Sequence, residues 1–312
     1  MTSALLLAAY AVVLAAVGPR ILLRAPWTSA APRLGIAMWQ GLSVMVLGAP
    51  VVALVSLGFG VVSLCRDLAA LVHLCAGRLS DAPPISPSAT VVASALLVGV
   101  VGRLAWALGR TVRDQRRQRR RTVGVIDILG RQDVERGVLV LDHDAAYAFC
   151  VPGRPARVVL TSGLLDSLSP DEIEAVLLHE NAHLQQHHHL ALSFARVLAS
   201  AFGAVAPFLR TAEREVARLV EMCADDAACR GVGTETVRAA LAGLVPGRDA
   251  SLVLSASACA VGDRLTRLGS VGVADGTRSE RNLGATTLAL MLTLPVAGLV
   301  VDLLVSGWCP PA

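Results

Sequence analysis

The chain contains 312 residues, of which 54% are hydrophobic and 17% are charged, and its formal net charge is +4. Its mean hydropathy of +0.61 is higher than a soluble domain usually shows. The composition therefore argues against an ordinary soluble globular protein and predicts a membrane protein.

Four segments are predicted to span the membrane, because each can supply the roughly 20 apolar residues that a transmembrane helix requires. They are residues 1–18, 34–65, 88–108 and 283–301. The first segment has no basic residue before it, whereas Arg20, Arg24 and Arg33 follow it. This charge pattern favours a retained span with an outside amino terminus over the alternative, a cleaved signal peptide.

A run of arginines follows the third predicted span. Residues 110–121 contain seven arginines and the single acid Asp114, whereas residues 66–87 contain two arginines and two aspartates. The positive-inside rule predicts that the basic juxtamembrane segment at 111–121 lies in the cytoplasm. A nucleic-acid patch is the alternative. Because membrane topology and contact with anionic lipid explain the run more simply, we expect no direct nucleic-acid binding.

Three short strands are predicted after this run, separated by polar turns. They cover residues 137–141, 147–150 and 157–160. They imply a small sheet, and an edge strand of such a sheet can pair with an extended peptide. Residues 156–160 are the candidate edge strand, with an ordinary core strand as the alternative.

The sequence around Ser169 predicts the start of a long helix. Ser169 offers a hydroxyl cap, Pro170 suits the first helical position, and Glu172 occupies the capping-box position. A helix is therefore expected from about residue 170 to residue 188.

This helix carries a metal-binding pattern. His179 and His183 are four residues apart and share one helix face, with Glu180 next to the first of them. Two imidazoles at this spacing can bind one metal ion while the glutamate acts on its water as general base. The histidines at 187–189 are expected at the surface. Because they make this helix end rich in histidine, the alternative is that His179 and His183 belong to a solvated polar helix end.

A second helical cluster, downstream, supplies the predicted third ligand, Glu221. Asp225, one turn further on, is expected to accept a hydrogen bond from the second ring nitrogen of a ligand histidine. Asp226 is expected to have another role, and Cys223 is expected to pack because it lies off the face of Glu221.

The segment between the two clusters, residues 190–209, is almost wholly apolar. It is predicted as a buried or membrane-associated helix, because Gly203 and Pro207 suggest a break. A fifth span is the alternative.

Together the HExxH sequence at 179–183 and the E-x-x-A-D sequence at 221–225 resemble the membrane metallopeptidases of the BlaR and MecR antirepressor group. More distantly, the chain is similar to HtpX-type and CAAX-processing proteases. The resemblance covers about residues 149–267 and extends through the hydrophobic frame. It implies that one Zn²⁺ per chain is bound by His179, His183 and Glu221, with Glu180 as general base.

The resemblance also implies a fold class. We expect a mainly α membrane protein with about four transmembrane helices and a cytoplasmic α+β zincin-like (gluzincin) domain. That domain is expected at 122–281, between the third and fourth spans, and a short outer tail is expected at 302–312. Residues 262–268 are similar to an arginine-bearing helix of these families, so Arg264 is a candidate for supporting the site or an oxyanion. A solvent-exposed arginine is the alternative.

These expectations describe an integral membrane zinc endopeptidase that cleaves a cytoplasmic or membrane-proximal protein or peptide. A transcriptional repressor of the BlaI type is the substrate that the resemblance implies. The chain has no lysine, so the S-x-x-K motif of a penicillin-binding sensor is absent. The alternatives are a signalling or scaffold protein with a non-catalytic zinc fold, and an HtpX-like quality-control protease.

Overall fold

The computed structural model describes residues 2–58, 87–244, 255–270 and 286. The fourth predicted span at 283–301, apart from Thr286, and the tail at 302–312 lie outside the described residues. So does the end of the second predicted span, residues 59–65. The described part is mostly helical and contains one small sheet.

The amino-terminal part consists of helices rich in alanine, leucine and valine. They are α1 (Thr2–Arg24), α2 (Trp27–Ala30), α3 (Pro32–Gly58) and α4 (Pro87–Leu129). Helix α4 is about 65 Å long at 1.5 Å per residue, about twice the thickness of a bilayer's hydrocarbon core. Only its apolar first half can therefore lie among lipid tails.

Two helical segments in the described residues are long and apolar enough to cross a membrane: Pro32–Val52 and Val91–Leu129. The second is mostly uncovered by protein. Val91 and Val98 are about two-thirds exposed, and Trp106 is also exposed. An apolar surface of this kind is typical of contact with lipid. These helices give weak support for a membrane protein, and the number of spans and their orientation remain predictions.

The sheet contains four strands, β1 (Arg131–Asp133), β2 (Val138–Leu141), β3 (Ala148–Val151) and β4 (Arg157–Thr161), in the order β1-β2-β4-β3. The β2–β4 pair is parallel and the other two pairs are antiparallel. The three predicted strands are therefore confirmed to within one residue. The edge assignment of residues 156–160 is wrong, because β4 lies between β2 and β3 and buries Val159 and Leu160 completely. Among the described residues, β3 is the edge strand on that side of the sheet.

The helices that follow are α5 (Ser162–Ser167), α6 (Pro170–Gln185), α7 (His188–Phe202), α8 (Phe208–Val232), α9 (Thr234–Gly243) and α10 (Ser255–Ser270). Helix α8 packs between two hydrophobic clusters. One contains Leu160, Leu164 and Val176 of the domain that includes the sheet. The other contains Trp39 of α3 and Leu219 of α8 itself. This packing fixes α8 against both α6 and the amino-terminal helices.

Two helix ends determine how the chain returns to α6. The predicted continuation of α6 to residue 188 is wrong, because the helix ends at Gln185 and His187 adopts the left-handed conformation with φ of 53°. Helix α7 ends at Phe202, and Pro207 precedes α8, which confirms the predicted break. Because α8 then runs back past α7, residue 221 returns to the carboxyl end of α6.

Candidate metal centre

The helix that carries the histidines begins as the sequence predicts. The Glu172 carboxylate accepts hydrogen bonds from the Ser169 backbone N–H at 2.7 Å and from its hydroxyl at 2.8 Å. Pro170 occupies the first turn, where its missing N–H costs no hydrogen bond. Buried Ile173, Val176 and Leu177 hold the inner face of α6 in the core, so its last turns are held in a fixed position beside α8.

The structure brings His179, His183 and Glu221 together. The two Nε2 atoms are 3.1 Å apart. Glu221 places Oε2 3.4 Å from His179 Nε2 and Oε1 3.6 Å from His183 Nε2. Four ligands about 2.1 Å from a tetrahedral zinc ion stand about 3.4 Å from one another. The three side chains therefore have the donor set and the spacing of a zinc site.

Asp225 supports this arrangement by contacting the second ring nitrogen of His179. Its Oδ1 lies 3.1 Å from His179 Nδ1, and the carboxylate is 1% exposed. Helical spacing explains the contact, because residues 221 and 225 are one turn apart on α8 and both face α6. A carboxylate at this position fixes the imidazole tautomer that leaves Nε2 free for a metal.

Arg264 of α10 has a side chain that is only 12% exposed, which favours its role in supporting the site over the alternative of a solvent-exposed arginine. Its Nε donates to Asp225 Oδ2 at 2.7 Å and its Nη2 to Oδ1 at 2.5 Å. Its Nη1 lies 3.3 Å from Glu221 Oε2. A bidentate pair of this kind fixes both partners in direction as well as position. Arg264 thus orients the two carboxylates of α8.

The charges of the metal-free site follow from these contacts. Burial opposes protonation of His179, but hydrogen bonds to Asp225 and Glu221 outweigh it and raise its pKa to about 9. Burial alone would raise the pKa of Asp225, but its hydrogen bonds with Arg264 and His179 outweigh burial and lower this pKa to about 2. Burial lowers the pKa of His183, so this imidazole is neutral at pH 7. At pH 7 the ionised carboxylates of Asp225 and Glu221 therefore face a protonated His179, and a metal cation can replace that proton.

Glu180 faces the sheet side of the site. Burial raises the pKa of its carboxyl, and the positive His179 beside it and a hydrogen bond with the Cys150 thiol act in the other direction. Burial also raises the pKa of Cys150 on β3 to about 12, so the thiol stays protonated and can donate to the carboxylate. A carboxyl with a raised pKa is suited to taking up and returning a proton. Sequence reasoning did not identify Cys150 as a neighbour of the site.

His188 is a second residue that sequence reasoning missed. It is 5% exposed, although the histidines at 187–189 were expected at the surface. Its Nδ1 lies 3.0 Å from His183 Nδ1, and its Nε2 lies 3.3 Å from Gln186 Oε1. Burial, together with neighbouring His183, lowers its pKa to about 4. His188 is therefore neutral and can accept the His183 Nδ1 proton.

The neighbouring residues of α8 have other roles. Asp226 pairs with Arg267 of α10, whose Nη2 donates to Oδ2 at 3.0 Å. The Nε of Arg267 donates to the backbone oxygen of Ser29 at 2.9 Å, so this pair joins α8 and α10 to α2. Cys223 is buried and is not part of the cluster of three, as its position off the Glu221 face predicts.

Comparison with known proteins agrees with this chemistry. Residues 113–245 match the model of Peptidase family M48, a stretch that contains α6, α8 and all three side chains of the cluster. No solved structure matches the chain. The match supports the M48 metallopeptidase family, and M48 peptidases are generally zinc-dependent.

Proposed function

We propose that this chain is an integral membrane zinc endopeptidase that cleaves a cytoplasmic or membrane-proximal protein. The observation that carries the proposal is the meeting of His179, His183 and Glu221 with Glu180 beside them. The M48 match over 113–245 supports hydrolysis of a peptide bond as the reaction.

The protein's own residues have distinct parts in this reaction. His179, His183 and Glu221 would hold one Zn²⁺, and Asp225 and Arg264 keep two of these ligands in position. The bound zinc would supply Lewis-acid polarisation and would lower the pKa of water at its open position to about 7. Glu180 takes a proton from the attacking water and returns it to the leaving amine. The C–N bond breaks in the process, and water leaves its hydroxyl on the carbonyl carbon and a proton on the amine nitrogen.

Strand β3 is the element that can present a substrate to Glu180. Its inner side pairs with β4, and its other edge forms no strand pair among the described residues. Cys150 on this strand contacts Glu180. An extended substrate that paired with β3 through its main chain would pass directly over the site, and main-chain pairing accepts varied sequences. The role assigned to residues 156–160 from sequence therefore passes to β3.

The apolar helices support attachment to a membrane. Helix α4 continues from its exposed apolar half into the arginine run without interruption. Basic residues just beyond a span favour the cytoplasmic side and contact anionic head groups. The proposed orientation therefore puts the metal centre on the cytoplasmic side, near the inner leaflet.

The direct test is Glu180→Gln in the purified, zinc-loaded protein. The amide cannot act as a base, so peptide cleavage should fall by about 100-fold or more. Zinc content, measured by metal analysis, should stay at one ion per chain. Full cleavage by Glu180→Gln, with zinc bound, would show that the general base is another group.

The substrate is tested by trapping. Partners that crosslink to the Glu180→Gln protein in cells can be identified and then offered to the wild type. We propose a repressor of the BlaI type as the substrate, on the resemblance of the motifs, and expect one cut in it. Cleavage of many misfolded membrane proteins would favour a quality-control protease of the HtpX type. Partners that bind both forms and are never cut would favour a scaffold.

A further inference from the structure

A cleft of about 720 Å³ lies beside the metal centre. One wall is the free edge of β3, from Phe149 to Val151, with Gly153 just beyond it. The opposite wall is a face of α4 that includes Gln115, Arg116 and Arg119. The cleft therefore lies where a peptide paired with β3 would run.

The α4 wall is held in place. Gln115 Nε2 donates to Ser193 Oγ of α7 at 2.6 Å, which ties the basic part of α4 to the helix that follows the HExxH sequence. The guanidinium of Arg119 lies against Gly153, and a side chain at residue 153 would displace it.

The cleft carries positive charge without a counterion. Arg116 and Arg119 line it, and none of its lining residues is acidic. The acids on α4 are occupied elsewhere, since Asp114 pairs with Arg110. Asp127 pairs with Arg157. In the part of the chain that the structure describes, neither Arg116 nor Arg119 has a carboxylate partner. An anionic group in the cleft would therefore meet two free guanidinium groups.

The distance along β3 sets where that anionic group would lie in a substrate. Cys150 lies at the level of Glu180, and Gly153, beside Arg119, is three residues further along the chain and two residues past the end of β3 at Val151. Because a chain advances at most about 3.3 Å per residue, Gly153 lies no more than about 10 Å from the reacting level. An acidic side chain within about three residues of the scissile bond would therefore reach Arg119.

Resting on the proposed peptidase function, we propose that this cleft selects substrates with an acidic side chain within about three residues of the scissile bond. Arg119 binds its carboxylate, and Arg116, nearly one turn earlier on the same face, binds it or an adjacent acid. The arginines that do not line the cleft, such as Arg117 and Arg120, remain available to lipid head groups. A peptide is favoured over lipid as occupant because one wall of the cleft is the edge of β3 next to Cys150.

The test uses the full chain, zinc-loaded, in neutral detergent micelles. Fluorogenic peptides carry a single Glu, Gln or Lys at each position two to four residues on either side of the cut. The wild type should cleave the best-placed Glu peptide about tenfold more efficiently in kcat/KM than its Gln counterpart, the size expected for a charge-assisted hydrogen bond. The double variant Arg116→Gln/Arg119→Gln should lower this ratio to about one.

Arg117→Gln/Arg120→Gln is the matched control. It removes two positive charges from the residues that directly follow Arg116 and Arg119, and it leaves the cleft lining intact. It should keep the tenfold ratio. A ratio near one for wild type at every position would overturn the proposal. So would an equal loss in the control pair, since that would indicate a general field and no bound carboxylate.

A binding measurement keeps the proposal separate from the proposed function. Fluorescence anisotropy with zinc-loaded Glu180→Gln protein reports the Glu-to-Gln affinity ratio of the same labelled peptides without turnover. If the wild type cuts neither peptide, the peptidase assignment fails and the anisotropy ratio alone decides the cleft. Phosphatidylglycerol added to the micelles is the lipid arm. Binding of this lipid that depends on Arg116 and Arg119, with no peptide preference, would overturn the proposal.

Discussion

The two histidines of the candidate metal centre are supported in different ways. His179 faces an ionised carboxylate, Asp225, which is itself held by Arg264. His183 faces a neutral imidazole, His188, which leads to an amide at Gln186. Both partners accept a ring N–H and leave Nε2 free for the metal. One half of the site therefore depends on charge and the other half on shape and tautomer.

This difference has consequences for metal binding. The carboxylate makes His179 a stronger base, which strengthens its bond to a metal but also allows a proton to compete for the same atom. The neutral His188 orients the His183 ring without making it more basic. Substitutions on the two sides should therefore differ in both size and pH dependence.

The largest expected effect is that of Asp225→Asn. The change leaves the largely buried Arg264 without its charged bidentate partner, which should lower the free energy of unfolding by about 3 kcal/mol. It also replaces the charged acceptor of the His179 ring N–H with a neutral amide oxygen, which should weaken zinc binding by about 10- to 100-fold. Thermal unfolding in detergent and zinc titration against a competing chelator measure the two effects.

Asp226→Asn is the matched control for that variant. It breaks the neighbouring ion pair with Arg267, at a side chain of similar size and low exposure, but touches no proposed ligand. It should lower stability while leaving zinc affinity unchanged. Equal zinc affinities for the two variants would mean that Asp225 does not act through His179.

The pH dependence of zinc affinity should separate the two histidines next. The metal-free protein holds a proton on His179 up to about pH 9, and zinc must displace it. The apparent affinity should therefore rise about tenfold per pH unit from pH 7 towards pH 9 and then level off. His183 adds no slope in this range, because its lowered pKa leaves it neutral.

Asp225→Asn tests the origin of that slope. Without the carboxylate, the His179 proton is lost at lower pH, so the affinity should level off well below pH 9. A wild-type affinity that is flat between pH 7 and pH 9 would contradict a proton held on His179.

Much of this site could be predicted from local sequence patterns. The capped start at Ser169 and the four-residue spacing of His179 and His183 are properties of a single helix, and so is the spacing of Glu221 and Asp225. Patterns within one element identify which side chains share a face. They also predicted three of the four strands within one residue and the break before α8, but they missed the short strand β1.

What failed or stayed open depended on contacts between distant parts of the chain. The burial of Arg264 requires α10 to pack on α8, and no feature near residue 264 shows that it does. The order of the strands places β4 inside the sheet and β3 at its edge, although β4 comes later in the sequence. Only the assembled fold decides which strand faces α6. These are tertiary choices that composition and periodicity do not determine.

The expectation that His188 lies at the surface failed for a more local reason, and substitutions of this residue should have the smallest effect on zinc binding. Five residues after His183, it would lie on another face of an unbroken helix, but the left-handed turn at His187 brings its ring back to His183. His188→Phe keeps a planar ring and removes the acceptor, so zinc binding should weaken by about tenfold through loss of orientation. His188→Asn retains an acceptor and should restore most of this loss, with little change in the pH slope set by His179. If Phe and Asn weaken zinc binding equally, the residue contributes packing alone, and the contrast between the two histidines reduces to Asp225.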